Sequence, residues 1–273
     1  MNEAKGPLLL VGGGKMGGAL LRGWLEGGLA VADVVVVEPN PQSLAAEAAR
    51  GVTVVRDANA IPAGFGPRVV VVAVKPQMMD AALPGYRCFA VPGTLFLSIA
   101  AGKTIAYFER GLDADTAIVR SMPNTPAAVG RGITVCCANA KATAADRALT
   151  DALLAAVGEV HWVADEKLLD AVTAVSGGGP AYVFLLIECL ANAGVAAGLP
   201  EELATRLARV TVSGSGELAR RSDEPAAVLR QNVTSPAGTT LEALNILMND
   251  DALQSLMTEA VAAATRRSRE LAE

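Results

Sequence analysis

Hydrophobic and polar positions change their period along this chain. Between residues 7 and 163, short apolar runs rich in β-branched residues are separated by roughly one helix each. The runs are PLLLV, DVVVVE, VTVV, RVVVVAV, GTLFLSIA, AIVRSM, GITVCCA and EVHWV. Runs that are apolar on both faces are typical of strands in a parallel or mostly parallel sheet covered by helices on both sides. This part of the chain therefore predicts a doubly wound α/β domain.

After residue 164 the apolar residues recur every three or four positions, which is the period of a helix. The segments are EKLLDAVTAV, PAYVFLLIECLANAGVAAG, PEELATRLARVTVSGSGELARR and DALQSLMTEAVAAATRRSREL. With 273 residues, of which 52% are hydrophobic, the chain is long and apolar enough for two domains. We predict an α/β domain over residues 1–164 and an all-α domain over residues 165–273.

One predicted helix, from Ala181 to about Ala197, keeps only Glu188 and Asn192 as polar positions. A helix that is apolar nearly all round must be buried on all sides, and so short a helical domain can hardly cover it alone. We expect helices of a partner chain to cover it, most simply in a two-fold homodimer. The alternative is a central helix within one bundle.

Charge and apolar segment length bear on partners and location. The formal net charge is −5, and the terminal TRRSR is the one cluster of basic residues, so nucleic acid is not expected as the main partner. That cluster suits a helix C-terminus. The N-terminal apolar run is too short for a signal peptide, and no stretch reads as long enough without charge to span a bilayer. We expect a cytoplasmic protein without a membrane partner.

The four cysteines show no C-x-x-C spacing. Cys136 and Cys137 are adjacent in an apolar, β-branched run, which favours a buried strand over a redox centre. We therefore predict structural thiols and no metal site.

A glycine-rich turn follows the first strand run, in LLLVGGGKMGGALL. A G-x-G-x-x-G pattern between a strand and a helix permits a tight turn and close approach of the backbone to a pyrophosphate at the helix N-terminus. A glycine-rich turn without a ligand is the alternative. The pattern predicts a Rossmann-type dinucleotide site, and the residues predicted to bind the cofactor here are Gly12, Gly14, Lys15, Met16 and Gly17.

An acidic residue, Glu38, ends the second strand run and supports the dinucleotide interpretation. A carboxylate at this position hydrogen-bonds the ribose 2′-hydroxyl of NADH and repels the 2′-phosphate of NADPH. No Lys or Arg follows until Arg50, although Asn40 and backbone amides could still hold a phosphate. NADPH or NADH thus remains open, with a weak preference for NADH. Lys75, after the fourth strand run, either reaches the cofactor or is solvated.

The candidate proton donors are few. His161 is the single histidine and lies in a strand run, where a structural role is more common, and Lys167 is the last lysine. No lysine donor of the kind that many dehydrogenases use can therefore come from the helical domain beyond Lys167. Tyr182 opens the apolar helix and is expected to pack there. The remaining polar groups of the helical domain suited to a small substrate are hydroxyls and backbone amides.

Hydroxyl residues concentrate in VTSPAGTTLEAL, between two helical patterns. Ser235 to Gly238 read as a turn, and Thr239 with Glu242 three residues later reads as a capping box. Free N–H groups at a helix start, together with hydroxyls, can bind a small carboxylate without a cation. An ordinary capped turn is the alternative, but it does not account for so many hydroxyls.

The chain resembles Δ1-pyrroline-5-carboxylate reductases nearly end to end. The segments GGGKMGGALL, AVKPQ, RSMPNTPAAVGRGIT, SGGGPAYVF and VTSPAGTTLEAL are similar in order and spacing to that family's motifs. The resemblance implies a Rossmann domain, a helical dimerisation domain that interleaves with a second subunit, and in some cases rings of dimers. It also implies NAD(P)H-dependent reduction of a cyclic imine to L-proline, the last step of proline biosynthesis.

Carried over by position, the resemblance implies roles for individual residues. The substrate carboxylate would be held by Ser235 and the amides of Gly238 and Thr239, with Thr240 donating a hydrogen bond to the ring nitrogen. Ser235 and Thr240 are thus the candidate catalytic residues. Met122 and Asn124 would lie near the nicotinamide, and Asn124 also near the substrate. The full set of further residues that would line the cofactor is Asn59, Val74, Lys75, Pro76, Ala100, Met122 and Asn124.

Three departures from the family pattern stand out: Ala237 for a usual glycine, Gly178 for a frequent serine, and one extra residue between Pro225 and Ser235. The extra residue leaves any acidic residue near the ring nitrogen unassigned. Two other functions remain open, a related hydroxyacid or imino-acid dehydrogenase and a nucleotide-binding scaffold without catalysis. The missing lysine disfavours the first, and Ser235 with Thr240 disfavours the second.

Overall fold

A single mixed sheet organises the first part of the chain in the computed structural model, which describes residues 6–272. Within that range the sheet has eight strands in the order β3-β2-β1-β4-β5-β6-β7-β8. All eight predicted strand runs are confirmed. The strands are β1 (Leu8–Val11), β2 (Val34–Val37), β3 (Thr53–Val55), β4 (Val69–Val72), β5 (Leu95–Ser98), β6 (Ala117–Met122), β7 (Gly132–Ala138) and β8 (Gly158–Trp162).

Strand direction follows the expected parallel pattern up to β6. Strands β1 to β6 pair in parallel, β7 pairs antiparallel with β6, and β8 is parallel to β7. The four-residue strands β1, β2, β4 and β5 are buried along their whole length. Because β1 to β6 are parallel, their carboxyl ends share one edge of the sheet, where open α/β folds bind ligands.

Apolar helices cover both faces of the sheet, so the predicted doubly wound fold is confirmed. Trp24 lies in the core cluster of one face and donates its indole N–H to the carbonyl oxygen of Leu153 at 2.8 Å. Phe108 belongs to the cluster of the other face. The α-helices up to residue 177 are α1 (Lys15–Glu26), α2 (Ala45–Ala49), α3 (Met79–Ala82), α4 (Ile105–Gly111), α5 (Ala144–Leu154) and α6 (Leu168–Val172).

The chain forms two compact units. The first unit extends to Gly177 and also takes in the C-terminal residues from Ala264, while the second unit is Gly178–Ala263. In the first unit the hydroxyl of Ser268 donates to Asp170 at 2.8 Å, which ties the end of the chain to α6. The predicted domain division after residue 164 stays a prediction.

The second unit is entirely helical in the described residues, as expected. Its longest apolar helix, α7, packs on α8 but has no buried residue in the single chain. Phe184 is 60% exposed. The structure therefore does not support a central helix enclosed by one bundle. The helices that begin in this unit are α7 (Gly179–Ala196), α8 (Glu201–Arg221), α9 (Ala226–Asn232), α10 (Thr239–Met248) and α11 (Ala252–Ala272).

One helical stretch, Leu168–Ala196, is long and apolar enough to cross a membrane by length and composition. The expectation that no stretch meets this criterion is therefore wrong. The reason lies in charge spacing, because Asp170 and Glu188 leave the residues between them uncharged. A single helix of this kind is weak evidence for a membrane span, since the apolar helix of an assembly passes the same test.

Candidate active site

The glycine turn between β1 and α1 has the geometry that a pyrophosphate needs. Gly12 has a φ of 100°, and a Cβ atom on Gly17 would collide with the carbonyl oxygen of Gly12. Gly14 is the N-cap of α1 and makes no side-chain cap, so the first amides of the helix are not engaged by a side chain of that residue. A Cβ at Gly14 would meet nothing within 4 Å. The turn therefore leaves an open cradle with N–H donors and a positive helix end.

Glu38 lies beside this turn, at the end of β2. One carboxylate oxygen accepts a hydrogen bond from the Gly13 amide at 2.8 Å, and the other accepts from the Asn40 amide at 2.9 Å. Two backbone donors thus fix the orientation of the carboxylate. Each oxygen keeps a further lone pair that can accept from a ribose hydroxyl.

The other predicted cofactor residues follow the carboxyl ends of successive strands. Asn59 comes after β3, Ala100 after β5 and Met122 ends β6. The side-chain oxygen of Asn124 accepts the Ile133 amide at 2.9 Å, which orients its amide nitrogen. The structure therefore brings the predicted set to one edge of the sheet: Gly12, Gly14, Lys15, Met16, Gly17, Glu38, Asn59, Val74, Lys75, Pro76, Ala100, Met122 and Asn124.

Other reactive side chains of the first unit are not arranged for catalysis. His161 lies on the edge strand β8, with its side chain 61% exposed, 3.6 Å from Glu159. Cys136 and Cys137 are buried in β7, as predicted, and burial raises the pKa of both thiols. Among residues 6–272 no group of three or more His, Cys, Asp or Glu side chains could hold a metal ion.

In the second unit, a tight turn separates α9 from α10. The Gly238 amide donates to the carbonyl oxygen of Ser235 at 3.0 Å, with Pro236 second and Ala237 third in the turn. Ala237 has a φ of 55°, in the left-handed region. Proline second and a positive φ third are the marks of a type II turn, in which glycine is the usual third residue. The departure to Ala237 is therefore accommodated at the cost of backbone strain.

The predicted capping box at Thr239 is wrong. The N-cap of α10 is Gly238, which has no side chain to cap the helix, and Thr239 is already the first helical residue. The turn closes at Gly238, so the helix begins one residue earlier than a box with Thr239 as N-cap would require. As a result, no box occupies the Thr239 hydroxyl.

The hydroxyls of this loop are available to a ligand. Within the part of the chain that the structure describes, no hydrogen bond joins the hydroxyl of Ser235, Thr239 or Thr240 to another residue. The Gly238 amide is already engaged by Ser235, whereas Thr239 and Thr240 are the first two residues of α10, whose N–H groups have no intrahelical acceptor. Hydroxyl and amide donors thus converge at one helix N-terminus.

A cavity of about 360 Å³ lies between α9 and α10. Arg230, Thr234, Leu241 and Asn245 are among its lining residues, but the three hydroxyl residues of the turn are not. The cavity therefore does not contain the predicted substrate groups, and we assign it no role.

A doubly wound sheet with a glycine turn and an anchored acidic residue at its carboxyl edge defines a dinucleotide-binding protein of the oxidoreductase class. Comparison with known proteins agrees. Residues 8–102 match a family model described as coenzyme F420-dependent NADP oxidoreductase, and residues 166–271 match one described as pyrroline-5-carboxylate reductase dimerisation.

Individual relatives are similar over nearly the whole chain. A pyrroline-5-carboxylate reductase of Pseudomonas aeruginosa is 39% identical over 97% of both chains. The solved structure of such an enzyme from Coxiella burnetii has a TM-score of 0.91 at 32% identity and covers 98% of this chain and 99% of its own. A Plasmodium falciparum structure with NADP bound has a TM-score of 0.82 at 29% identity, with 99% of both chains covered. The chain belongs to the pyrroline-5-carboxylate reductase family.

Proposed function

We propose that this chain reduces the cyclic imine 1-pyrroline-5-carboxylate to L-proline by hydride transfer from a nicotinamide dinucleotide, the last step of proline biosynthesis. The observation that carries the proposal is the loop before α10. It presents three hydroxyls and two helix-terminal amides without a cationic side chain of its own. Such a donor set suits a small substrate with one carboxylate and one ring nitrogen.

The substrate carboxylate would be held by the Ser235 hydroxyl and by amides at the start of α10. The carboxylate carries a full negative charge, and the helix N-terminus carries a partial positive one, so the two attract without a buried cation. Thr239 and Thr240 are the amides best placed by the helix geometry. The predicted role of the Gly238 amide requires that it share its proton with Ser235 or turn away from it.

Thr240 would accept a hydrogen bond from the N–H of the protonated ring nitrogen, which has no lone pair with which to accept one, and so hold the ring in position. An imine nitrogen is far more basic than a carbonyl oxygen, so a protonated cyclic iminium is already activated for hydride at carbon and needs little general acid. This explains how the second unit, which contains no Lys or His, can serve an oxidoreductase. The same absence argues against a hydroxyacid dehydrogenase with a lysine proton donor.

The cofactor, when bound, supplies the hydride. The residues at the carboxyl edge would hold its pyrophosphate at the turn from Gly12 to Gly17 and its adenosine ribose at Glu38. We propose that Glu38 accepts from ribose hydroxyls, a role for which its two amide partners already orient it. Taken alone, this carboxylate favours NADH over NADPH. Asn124 would lie nearer the nicotinamide and the substrate.

We further propose that the protein works in the cytoplasm as a homodimer with interleaved helices, and that such dimers assemble into rings. The match to a dimerisation family model and the uncovered apolar surface of α7 support an oligomer. Covering α7 with partner helices would also account for its apolar composition without a membrane.

The first test is the loss of NADH and NADPH absorbance with pyrroline-5-carboxylate, with proline identified as the product. In the same assay, Thr240→Val should lower kcat by roughly 10- to 100-fold, the effect of one hydrogen bond to a charged group. Cofactor affinity should not change. Thr234→Val is the matched control, because the Thr234 hydroxyl donates within the helix end to the Arg230 carbonyl oxygen. Equal kcat for Thr240→Val and wild type would remove Thr240 from the mechanism.

A further inference from the structure

A cationic residue, Arg56, follows the end of β3, directly beside Glu38 at the end of β2. Strands β2 and β3 are parallel neighbours in which Val37 pairs with Val55. The Glu38 amide continues the ladder by donating to the Val55 carbonyl oxygen at 2.8 Å. Arg56 is the next residue after Val55, so Glu38 and Arg56 occupy adjacent positions at the carboxyl edge. They are 18 positions apart in the sequence, and the pairing of β2 with β3 makes them neighbours.

Arg56 is exposed, and among residues 6–272 no carboxylate forms an ion pair with it. The two nearest acidic residues along the strands are already engaged with backbone amides. Glu38 accepts from Gly13 and Asn40, and Asp57 caps the following turn by accepting the Asn59 amide at 2.9 Å. The guanidinium group is therefore free to bind an anion at this edge.

The position of Arg56 matters because this fold binds the adenosine end of a dinucleotide at this edge of the sheet. In dinucleotide-binding sheets the adenosine ribose lies at the end of β2, and an arginine nearby accommodates the 2′-phosphate of NADPH. A guanidinium group is planar and permanently charged, and its donors match phosphate oxygens in pairs. An arginine one strand away could thus offset the repulsion between a 2′-phosphate and Glu38. An arginine that is only solvated would not affect the binding of NADPH relative to NADH.

We propose that Arg56 binds the 2′-phosphate of NADPH and is a specificity-determining residue of the proposed reductase. Glu38 serves the ribose hydroxyls of NADH, and Arg56 serves the phosphate of NADPH, so the chain accepts both cofactors. The proposal rests on the proposed function in that the bound dinucleotide is a nicotinamide cofactor. It concerns only the adenosine end, which can be tested without hydride transfer.

The experiment compares Arg56→Gln with the wild-type full-length protein by isothermal titration calorimetry. The two probes are adenosine 2′,5′-bisphosphate and adenosine 5′-monophosphate, which differ only in the 2′-phosphate. We expect Arg56→Gln to raise the Kd for the bisphosphate about tenfold or more, the effect of losing a charge-assisted hydrogen bond to phosphate. The Kd for the monophosphate should change less than about twofold. Arg56→Lys should recover part of the affinity, because the charge returns without the planar fork.

Arg50→Gln is the matched control. Arg50 is also exposed and follows α2, ahead of the start of β3 at Thr53, so it lies at the opposite edge of the sheet. Arg50→Gln removes the same charge from the segment between β2 and β3, and we expect it to leave the ratio of the Kd values for the two probes unchanged. Equal losses in Arg50→Gln and Arg56→Gln, or a loss for both probes in Arg56→Gln, would reduce Arg56 to a general charge effect and overturn the proposal. Unchanged bisphosphate affinity would also overturn it.

The kinetic readout separates this proposal from the proposed function. In the reductase assay, Arg56→Gln should raise KM for NADPH while KM for NADH and kcat with NADH stay the same. If Arg56→Gln weakens binding of the bisphosphate alone, but the protein does not reduce pyrroline-5-carboxylate, the proposed function is wrong and the role of Arg56 in phosphate binding is supported. If the protein makes proline and Arg56→Gln leaves KM for NADPH unchanged, the proposed function is supported and the role of Arg56 is wrong.

Discussion

The two units bury their apolar side chains in different ways. In the first unit, strands such as β1 and β4 are no more than 1% exposed, and helices cover both sheet faces. In the second unit, only Ala204 and Ala208 are buried among the described residues, while Phe184, Leu218 and Ile246 are at least 60% exposed. A sheet with helices on both faces completes its own core, whereas these helices leave their apolar surface exposed in the single chain.

The functional groups of the two units differ in the same sense. At the sheet edge, Glu38 is fixed by two amides, and the glycine turn is held by the close approach of Gly17 in α1 to the carbonyl oxygen of Gly12. In the loop before α10, the hydroxyls are exposed and Ala237 holds a left-handed conformation that costs about 1 kcal/mol. The edge proposed to bind the cofactor is thus fixed by contacts within one unit, whereas the loop proposed to bind the substrate carries backbone strain.

The largest effect is expected when a charged residue is introduced into the apolar surface of α7. Phe184→Asp should abolish oligomer formation, because a buried carboxylate without a partner is strongly disfavoured. Mass measured by light scattering after size-exclusion chromatography should fall to that of one chain. Val91→Asp is the matched control in the first unit, since Val91 is 51% exposed there. An assembly that survives Phe184→Asp would mean that α7 is not the covered surface.

A smaller effect is expected at the preorganised edge. Glu38→Ser should raise the ratio of kcat/KM with NADPH to kcat/KM with NADH by about tenfold, because a carboxylate that repels phosphate and accepts from ribose is lost. Glu26→Ser removes the same charge from the last residue of α1, at the far end of that helix from the turn, and should leave the ratio unchanged. A ratio that stays constant in Glu38→Ser would show that Glu38 does not contact the ribose.

The smallest effect concerns the strained loop. Ala237→Gly should lower KM for the imine by at most about fivefold with kcat unchanged, because it relieves left-handed strain while glycine adds freedom to the free loop. Steady-state kinetics at saturating cofactor measure this. Ala227→Gly in α9 is the control, because there glycine only weakens a helix and should not improve KM. A higher KM for Ala237→Gly would mean that the alanine methyl group stiffens the loop usefully.

Features set by neighbouring residues could be predicted from the sequence. The eight strands follow from short β-branched runs, and the glycine turn follows from steric limits that only glycine satisfies at Gly12 and Gly17. The position of Glu38 at the end of β2 is equally local, since it follows directly from where the strand ends. The burial of Cys136 and Cys137 followed from the apolar run around them.

Features that join distant segments could not be predicted in the same way. Helix α10 begins at Thr239 because the turn before it closes through a hydrogen bond between Gly238 and Ser235, and composition does not show which residue of a turn closes it. The return of the C-terminal residues to the first unit depends on the contact between Ser268 and Asp170.

The neighbourhood of Arg56 shows the same limit at the cofactor edge. Counting residues after Glu38 finds Arg50 first, yet Arg50 lies before β3 and Arg56 after it. The amino-acid order alone therefore specified strands, turns and the acidic residue, all of which depend on interactions within a few positions. The pairing of β2 with β3 placed a cation beside that acidic residue, because hydrogen bonds between parallel strands bring together residues that are far apart in the chain.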